Sequence, residues 1–71
     1  MVILKDNLVN VMADVRELVK IRAAEAYNNN ANACNVAIYN AVIEAEDRNP
    51  DTLATKIVKD LAEGKIKEKF L

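Results

Sequence analysis

The feature that most constrains the fold is a run of eighteen residues without a charge, from Ala26 to Ile43, in a chain whose residues are 30% charged. Six residues of this run are asparagine. In a lipid bilayer their amides would lack hydrogen-bond partners, so the run is not expected to span a membrane. Its many alanine, valine and isoleucine residues are also atypical of a solvated loop. The run therefore predicts a helix that packs closely against other protein surface.

The length of 71 residues corresponds to one small domain. The chain has one cysteine and no histidine, so no internal disulfide and no ordinary zinc site can reinforce a small core. Small domains without such reinforcement often gain stability by oligomerising. We therefore expect a homo-oligomer.

Alanine, leucine, lysine and glutamate dominate outside the uncharged run, and strand-like alternation is weak, which predicts an all-α fold. Asn49 and Pro50 predict a helix start, as N-cap and first helical residue, and Gly64 predicts the end of that helix. We expect an antiparallel helical hairpin plus a third helix, a small helical bundle that oligomerises. The predicted ranges in the single domain 1–71 are helices at about 6–27, 31–47 and 50–63, with a tail at 64–71.

The asparagine triplet at 28–30 leaves two arrangements open. Asparagine competes for backbone hydrogen bonds and can end one helix and cap the next, which produces the hairpin. A helix that continues through the triplet would instead form one rod to about residue 47. We favour the hairpin.

The predicted helix at 31–47 is apolar nearly all round, which indicates neighbours on two sides. Cys34 has no basic neighbour in sequence to lower its pKa, so we expect a small buried side chain rather than a reactive thiol. The main apolar face is the predicted oligomer interface and consists of Ala31, Cys34, Ile38, Ala41, Val42 and Ala45.

The inventory of side chains disfavours catalysis and metal binding. Serine and histidine are absent, which excludes Ser-His-Asp and Cys-His arrangements. Residues 47–51 resemble the opening of a calcium loop, but Thr52 stands where glycine is required and Val58 where the closing glutamate belongs. A net charge of −1 does not favour nucleic acid. We expect no enzymatic activity, no metal, no cofactor and no DNA partner.

The sharpest positive signal combines asparagines and tyrosines with one arginine. Arg22 is the only charge in the apolar stripe of the first helix, and a hairpin would bring it near the asparagines of the second. Arginine binds phosphate, amides read base edges and tyrosine stacks on rings. Alternatively, Arg22 extends past the helix end while the amides fix the helix register. The predicted ligand or partner site consists of Arg22, Tyr27, Asn29, Asn32, Asn35, Tyr39 and Asn40.

Two functions follow as expectations. The first is a non-catalytic intracellular adaptor or inhibitor that acts by protein–protein contact, and the composition suits a phage or mobile-element regulator. The second is an oligomeric protein that binds a small anionic, nucleotide-like ligand through the Arg/Asn/Tyr set. The lone cysteine and the early charges Lys5 and Asp6, which leave no signal-peptide core, predict a cytoplasmic location.

Overall fold

The computed structural model describes the backbone of residues 2–68 and the side chains of residues 8–68. Within that range the chain forms four helices and no strand, which confirms the all-α prediction. No helix in the described part of the chain combines the length and apolar character needed to cross a membrane. The helices are α1 (Val2–Arg22), α2 (Ala24–Asn29), α3 (Ala31–Glu44) and α4 (Pro50–Ala62).

The helix predicted at 6–27 is divided into α1 and α2. The break falls at Ala23, whose φ of −146° and ψ of 57° are not helical. The N–H of Ala23 still donates to the Val19 carbonyl at 2.8 Å, and its own carbonyl accepts from the N–H of Tyr27 at 2.9 Å. Alanine is the best helix former, so local propensity gave no sign of a break here. Tyr27, beyond the break, is buried in the core.

A second break lies within the asparagine triplet, so α2 and α3 do not form one continuous helix. Asn30 separates them, with φ −134° and ψ 39°. Its side-chain amide donates to the Ala26 carbonyl at 3.0 Å, which satisfies an acceptor near the end of α2. The triplet thus ends a helix as predicted, without the left-handed conformation that asparagine tolerates. The antiparallel hairpin remains a prediction.

The residues predicted to start and stop the third helix do so in α4, which begins at Pro50 and ends at Ala62, one residue before the predicted end at 63. The Asn49 side-chain oxygen accepts hydrogen bonds from the backbone N–H groups of Asp51 (2.9 Å) and Thr52 (3.4 Å), and Pro50 is the first helical residue. Gly64, just past the other end, has φ +77°, and the next N–H, of Lys65, donates to the Asp60 carbonyl at 2.9 Å. This is the Schellman termination of a helix, in which glycine takes the left-handed position.

The core lies where α1, α3 and α4 meet, because each of these helices packs against the other two. Tyr27 of α2 and Ile66, which follows α4, also belong to this core. The buried apolar residues are Val15, Val19, Tyr27, Cys34, Ile38, Val42, Leu53, Ala54, Ile57, Leu61 and Ile66.

The face of α3 predicted as the oligomer interface lies instead against the chain's own helices. Cys34, Ile38 and Val42 are almost completely buried, and Ala31, Ala41 and Ala45 are half-buried against the same core. Cys34, Ile38 and Val42 are therefore not accessible to a second copy while the chain is folded. The sequence indicated the apolar face but not that α1 and α4 would cover it. Self-association remains a prediction.

Candidate functional site

Arg22 does not join the asparagines. Its guanidinium forms an ion pair with Asp51 and donates a hydrogen bond to the Thr55 hydroxyl at 3.1 Å, and both partners belong to α4. The pair is exposed to solvent, so it contributes only about 0–1 kcal/mol to stability. Sequence reasoning missed this partner because Asp51 lies 29 residues further along the chain. In this fold Arg22 joins the end of α1 to the start of α4.

Tyr27 also has a partner inside the fold. Its hydroxyl donates to the Asn35 side-chain oxygen at 3.1 Å, and the Lys20 ammonium lies 5.7 Å from the centre of its ring. The second contact has cation–π geometry. Through these two contacts Tyr27 connects α1, α2 and α3. Its ring is buried and is therefore not open to stack on a ligand.

The other predicted site residues lie on the surface. Asn29 is exposed at the end of α2. The outward side of α3 carries three large apolar side chains, Val36 (60% exposed), Tyr39 (54%) and Ile43 (42%). We call this side the neutral face, because none of its side chains is charged. Its members are Asn32, Asn35, Val36, Tyr39, Asn40 and Ile43.

The spacing of the neutral face is that of one continuous helix stripe. Positions 32, 36, 39 and 43 follow one another at intervals of four, three and four residues, which keeps them on one side of a helix. The buried positions 34, 38 and 42 lie on the opposite side of the same helix. Thus α3 has two apolar sides, and the described residues cover only the side that carries Cys34, Ile38 and Val42.

A groove of about 480 Å³ runs beside the neutral face. Its second wall is the segment at 65–68, which we call the strap. The groove brings together two predicted site residues, Asn32 and Asn40, and adds Lys65 and Lys67, which sequence reasoning had not included. The sequence feature that could have pointed to these two lysines is their positive charge within the tail predicted at 64–71.

The strap is attached to the start of α3 by two hydrogen bonds, both made by Glu68. The Glu68 carboxylate accepts from the N–H of Ala33 at 2.9 Å, and the N–H of Glu68 donates to the Asn30 side-chain oxygen at 2.8 Å. In a capping box the acceptor for such an N–H lies three residues away in the same helix, whereas Glu68 is 35 residues from Ala33. The negative charge also suits the positive end of the helix. The strap is also held in place by Ile66, whose side chain is buried in the core.

Glu68→Ala is expected to lower the free energy of unfolding by about 1 kcal/mol, the usual effect of losing a helix cap. The N–H of Ala33 should also lose protection against hydrogen exchange, measured by NMR, because it loses its acceptor. Glu17→Ala, which removes an exposed glutamate from α1, is the control and should change neither quantity appreciably. Unchanged protection of Ala33 in Glu68→Ala would contradict this capping role.

Cys34 is fully buried, and desolvation raises the pKa of its thiol. Folding therefore favours the protonated form of the thiol. The free energy of unfolding should consequently decrease as the pH rises above the pKa of the unfolded thiol. Since the thiolate is the attacking species, the thiol should be inert in the folded protein. These features support the prediction that Cys34 is structural.

Alkylation of Cys34 is expected to be slow in native buffer and fast in denaturing urea, as measured by mass spectrometry over time. Cys34→Ala should lower the free energy of unfolding by roughly 1 kcal/mol, since it shortens a buried side chain. Equal alkylation rates in both solvents would contradict burial.

The surface described above is suited to non-covalent contact. Across residues 8–68, no three acidic or cysteine side chains are placed to hold a metal ion together. The neutral face offers apolar side chains framed by amides, and the groove adds two lysines at its edge. No protein-family model matches the chain, and no curated protein and no solved structure matches it either.

Proposed function

We propose that the chain is a non-catalytic protein-contact module, a small cytoplasmic adaptor or inhibitor, and that the neutral face of α3 is its contact surface. One observation carries the proposal: Val36, Tyr39 and Ile43 stay exposed on one side of a helix whose other side fills the core. Burying apolar surface contributes roughly 25 cal/mol per Å². Contiguous exposed apolar side chains therefore usually mark an interaction site.

The composition of the neutral face supports the same function. Interface centres are depleted of charged residues and enriched in aromatic ones, and tyrosine is frequent among the residues that dominate binding energy. Tyr39 occupies the middle of the face, between Val36 and Ile43. The amides of Asn32 and Asn40 can each donate and accept hydrogen bonds with a partner backbone.

The proposal can be tested by cross-linking the tagged full chain in the cells that produce it. Val36→Lys, which places a charge in the neutral face, should abolish the cross-linked protein products. Val9→Lys is the matched control, because Val9 is 57% exposed on α1, nearly as much as Val36, and its products should persist. Identical products from wild type and Val36→Lys would refute the proposed surface.

A second candidate function, binding of a small anionic ligand, is favoured by the groove. Amides from Asn32 and Asn40 and ammonium groups from Lys65 and Lys67 surround an apolar floor that includes Val36. Such a set can hold a planar polar ring and a phosphate. Arg22 and Tyr27 of the predicted site are engaged elsewhere, however, and the Glu68 carboxylate also lines the groove. These contacts make protein binding the better supported proposal.

Thermal melting with and without nucleotides separates the two functions. Under the first proposal, no nucleotide raises the melting temperature of the wild type. A rise that disappears in Asn40→Ala would favour the ligand-binding function, since a ligand stabilises the folded state that binds it. Asn10→Ala, an exposed asparagine on α1, is the control.

A further inference from the structure

The neutral face of α3 is bordered by opposite charges at its two ends. Beyond its C-terminal end, Glu44, Glu46 and Asp47 are exposed, and the segment stays net negative even with Arg48. Beside its N-terminal half lies the strap, which exposes Lys65 and Lys67. We propose that the neutral face binds the same face of a second copy in antiparallel orientation, which produces a two-fold symmetric dimer.

This inference rests on the proposed function, namely that the neutral face contacts protein. It identifies the partner as a second copy of the chain. A face without charges requires a partner face without charges, because unpaired charges are costly to bury. All of the 10 basic and 11 acidic residues lie outside 26–43, so a second copy supplies a neutral surface of the same length.

Antiparallel pairing matches the apolar positions of the two copies. The two-fold axis falls between positions 36 and 39, so that Val36 of each copy meets Tyr39 of the other. Asn32 then lies opposite Ile43 at the edge of the contact, where its amide can still reach water. The intervals of four, three and four residues are those that place side chains between the side chains of a facing helix.

The charges select the antiparallel orientation over the parallel one. α3 has 14 residues and is about 21 Å long, so reversing one helix brings the acidic end of one copy beside the strap of the other. Glu44 follows Asn40 by one turn, and Asn40 also lines the groove beside the strap. Glu44 and the strap therefore border the same flank, and in an antiparallel pair like flanks face each other. Parallel helices would bring the two acidic ends together.

Lys67 is the strap residue expected to meet Glu44 of the second copy. Lys65 already pairs with Glu63 of its own chain, with 3.1 Å between the ammonium nitrogen and the carboxylate oxygen. The contact is short, since one helix of four turns supplies it. We therefore expect a small interface and a weak dimer that dissociates at micromolar concentration.

Sedimentation equilibrium from micromolar to millimolar concentration tests the dimer. The wild type should change from its monomer mass of 7.9 kDa towards twice that mass as its concentration rises. Val36→Lys should remain monomeric at every concentration, and Val9→Lys should dimerise like the wild type. Circular dichroism should show equal helix content in all three. A wild type that is monomeric throughout would overturn the inference.

Charge reversal tests the orientation. Glu44→Lys and Lys67→Glu should each weaken dimerisation by about three- to tenfold, the scale of two symmetric surface ion pairs. The double variant should restore it, and added salt should weaken the wild-type dimer. Failure of the double variant to recover the affinity would overturn the antiparallel arrangement.

The two proposals fail in different ways. If the wild type is monomeric but Val36→Lys still loses its cross-linked products, the neutral face binds another protein, and only the second-copy inference is wrong. If Val36→Lys changes neither the mass nor the cross-linked products, both proposals are wrong.

Discussion

Ile38→Asp is expected to unfold the chain, whereas Ile43→Asp, the same change on the same helix, should leave it folded. Ile38 is 2% exposed on the core side of α3, and Ile43 belongs to the outward neutral face. An unpaired carboxylate in the core costs several kcal/mol. A domain of this length has a total stability of only about 4–10 kcal/mol.

Far-ultraviolet circular dichroism and thermal melting measure this difference. Ile38→Asp should lose most of its helix signal at room temperature, and Ile43→Asp should melt cooperatively near the wild-type temperature. If the neutral face dimerises, Ile43→Asp should also be monomeric in sedimentation. Wild-type melting of Ile38→Asp would show that the core assigned to α3 is incorrect.

Ile57→Ala is expected to lower the free energy of unfolding by about 2–5 kcal/mol, the range for removing a large buried aliphatic side chain. Ile57 is 2% exposed on α4, which packs against both α1 and α3. The loss combines transfer of the side chain from the core with the cavity left behind. Urea unfolding should show a lower midpoint with a similar slope.

Ile21→Ala is the matched control for that measurement. Ile21 is 71% exposed on α1, so the same truncation removes little buried surface and adds a residue with better helix propensity. Its free energy of unfolding should stay within about 0.5 kcal/mol of wild type, as is usual for surface changes. Equal midpoints for Ile57→Ala and Ile21→Ala would contradict the position of α4 in the core.

The predictions that the structure confirms depend on interactions within a few residues. Asn49, Pro50 and Gly64 mark the ends of α4 because a cap, a fixed φ and a left-handed residue act on their own turn of helix. The break at the asparagine triplet has the same origin, because the Asn30 side chain bonds a carbonyl four residues earlier. Interactions of this kind, between residues close in sequence, can be predicted without knowledge of the tertiary structure.

The features that sequence reasoning missed depend on distant parts of the chain. The break at Ala23 opposes local propensity, and Arg22 pairs with a carboxylate from a different helix. Glu68 caps a helix that begins more than thirty residues earlier. Of the predicted site, only Asn32 and Asn40 come together in the groove, because the packing of α2 and α4 engages Tyr27 and Arg22 elsewhere.

The sequence by itself determined that α3 has two apolar sides, since that follows from a period of 3.6 residues. Only the tertiary structure decided which side is covered. α1 and α4 pack on the side of Cys34, Ile38 and Val42, and Val36 and Ile43 stay outside. Coverage depends on how the neighbouring helices share one core, and that packing is a property of the whole chain rather than of any segment.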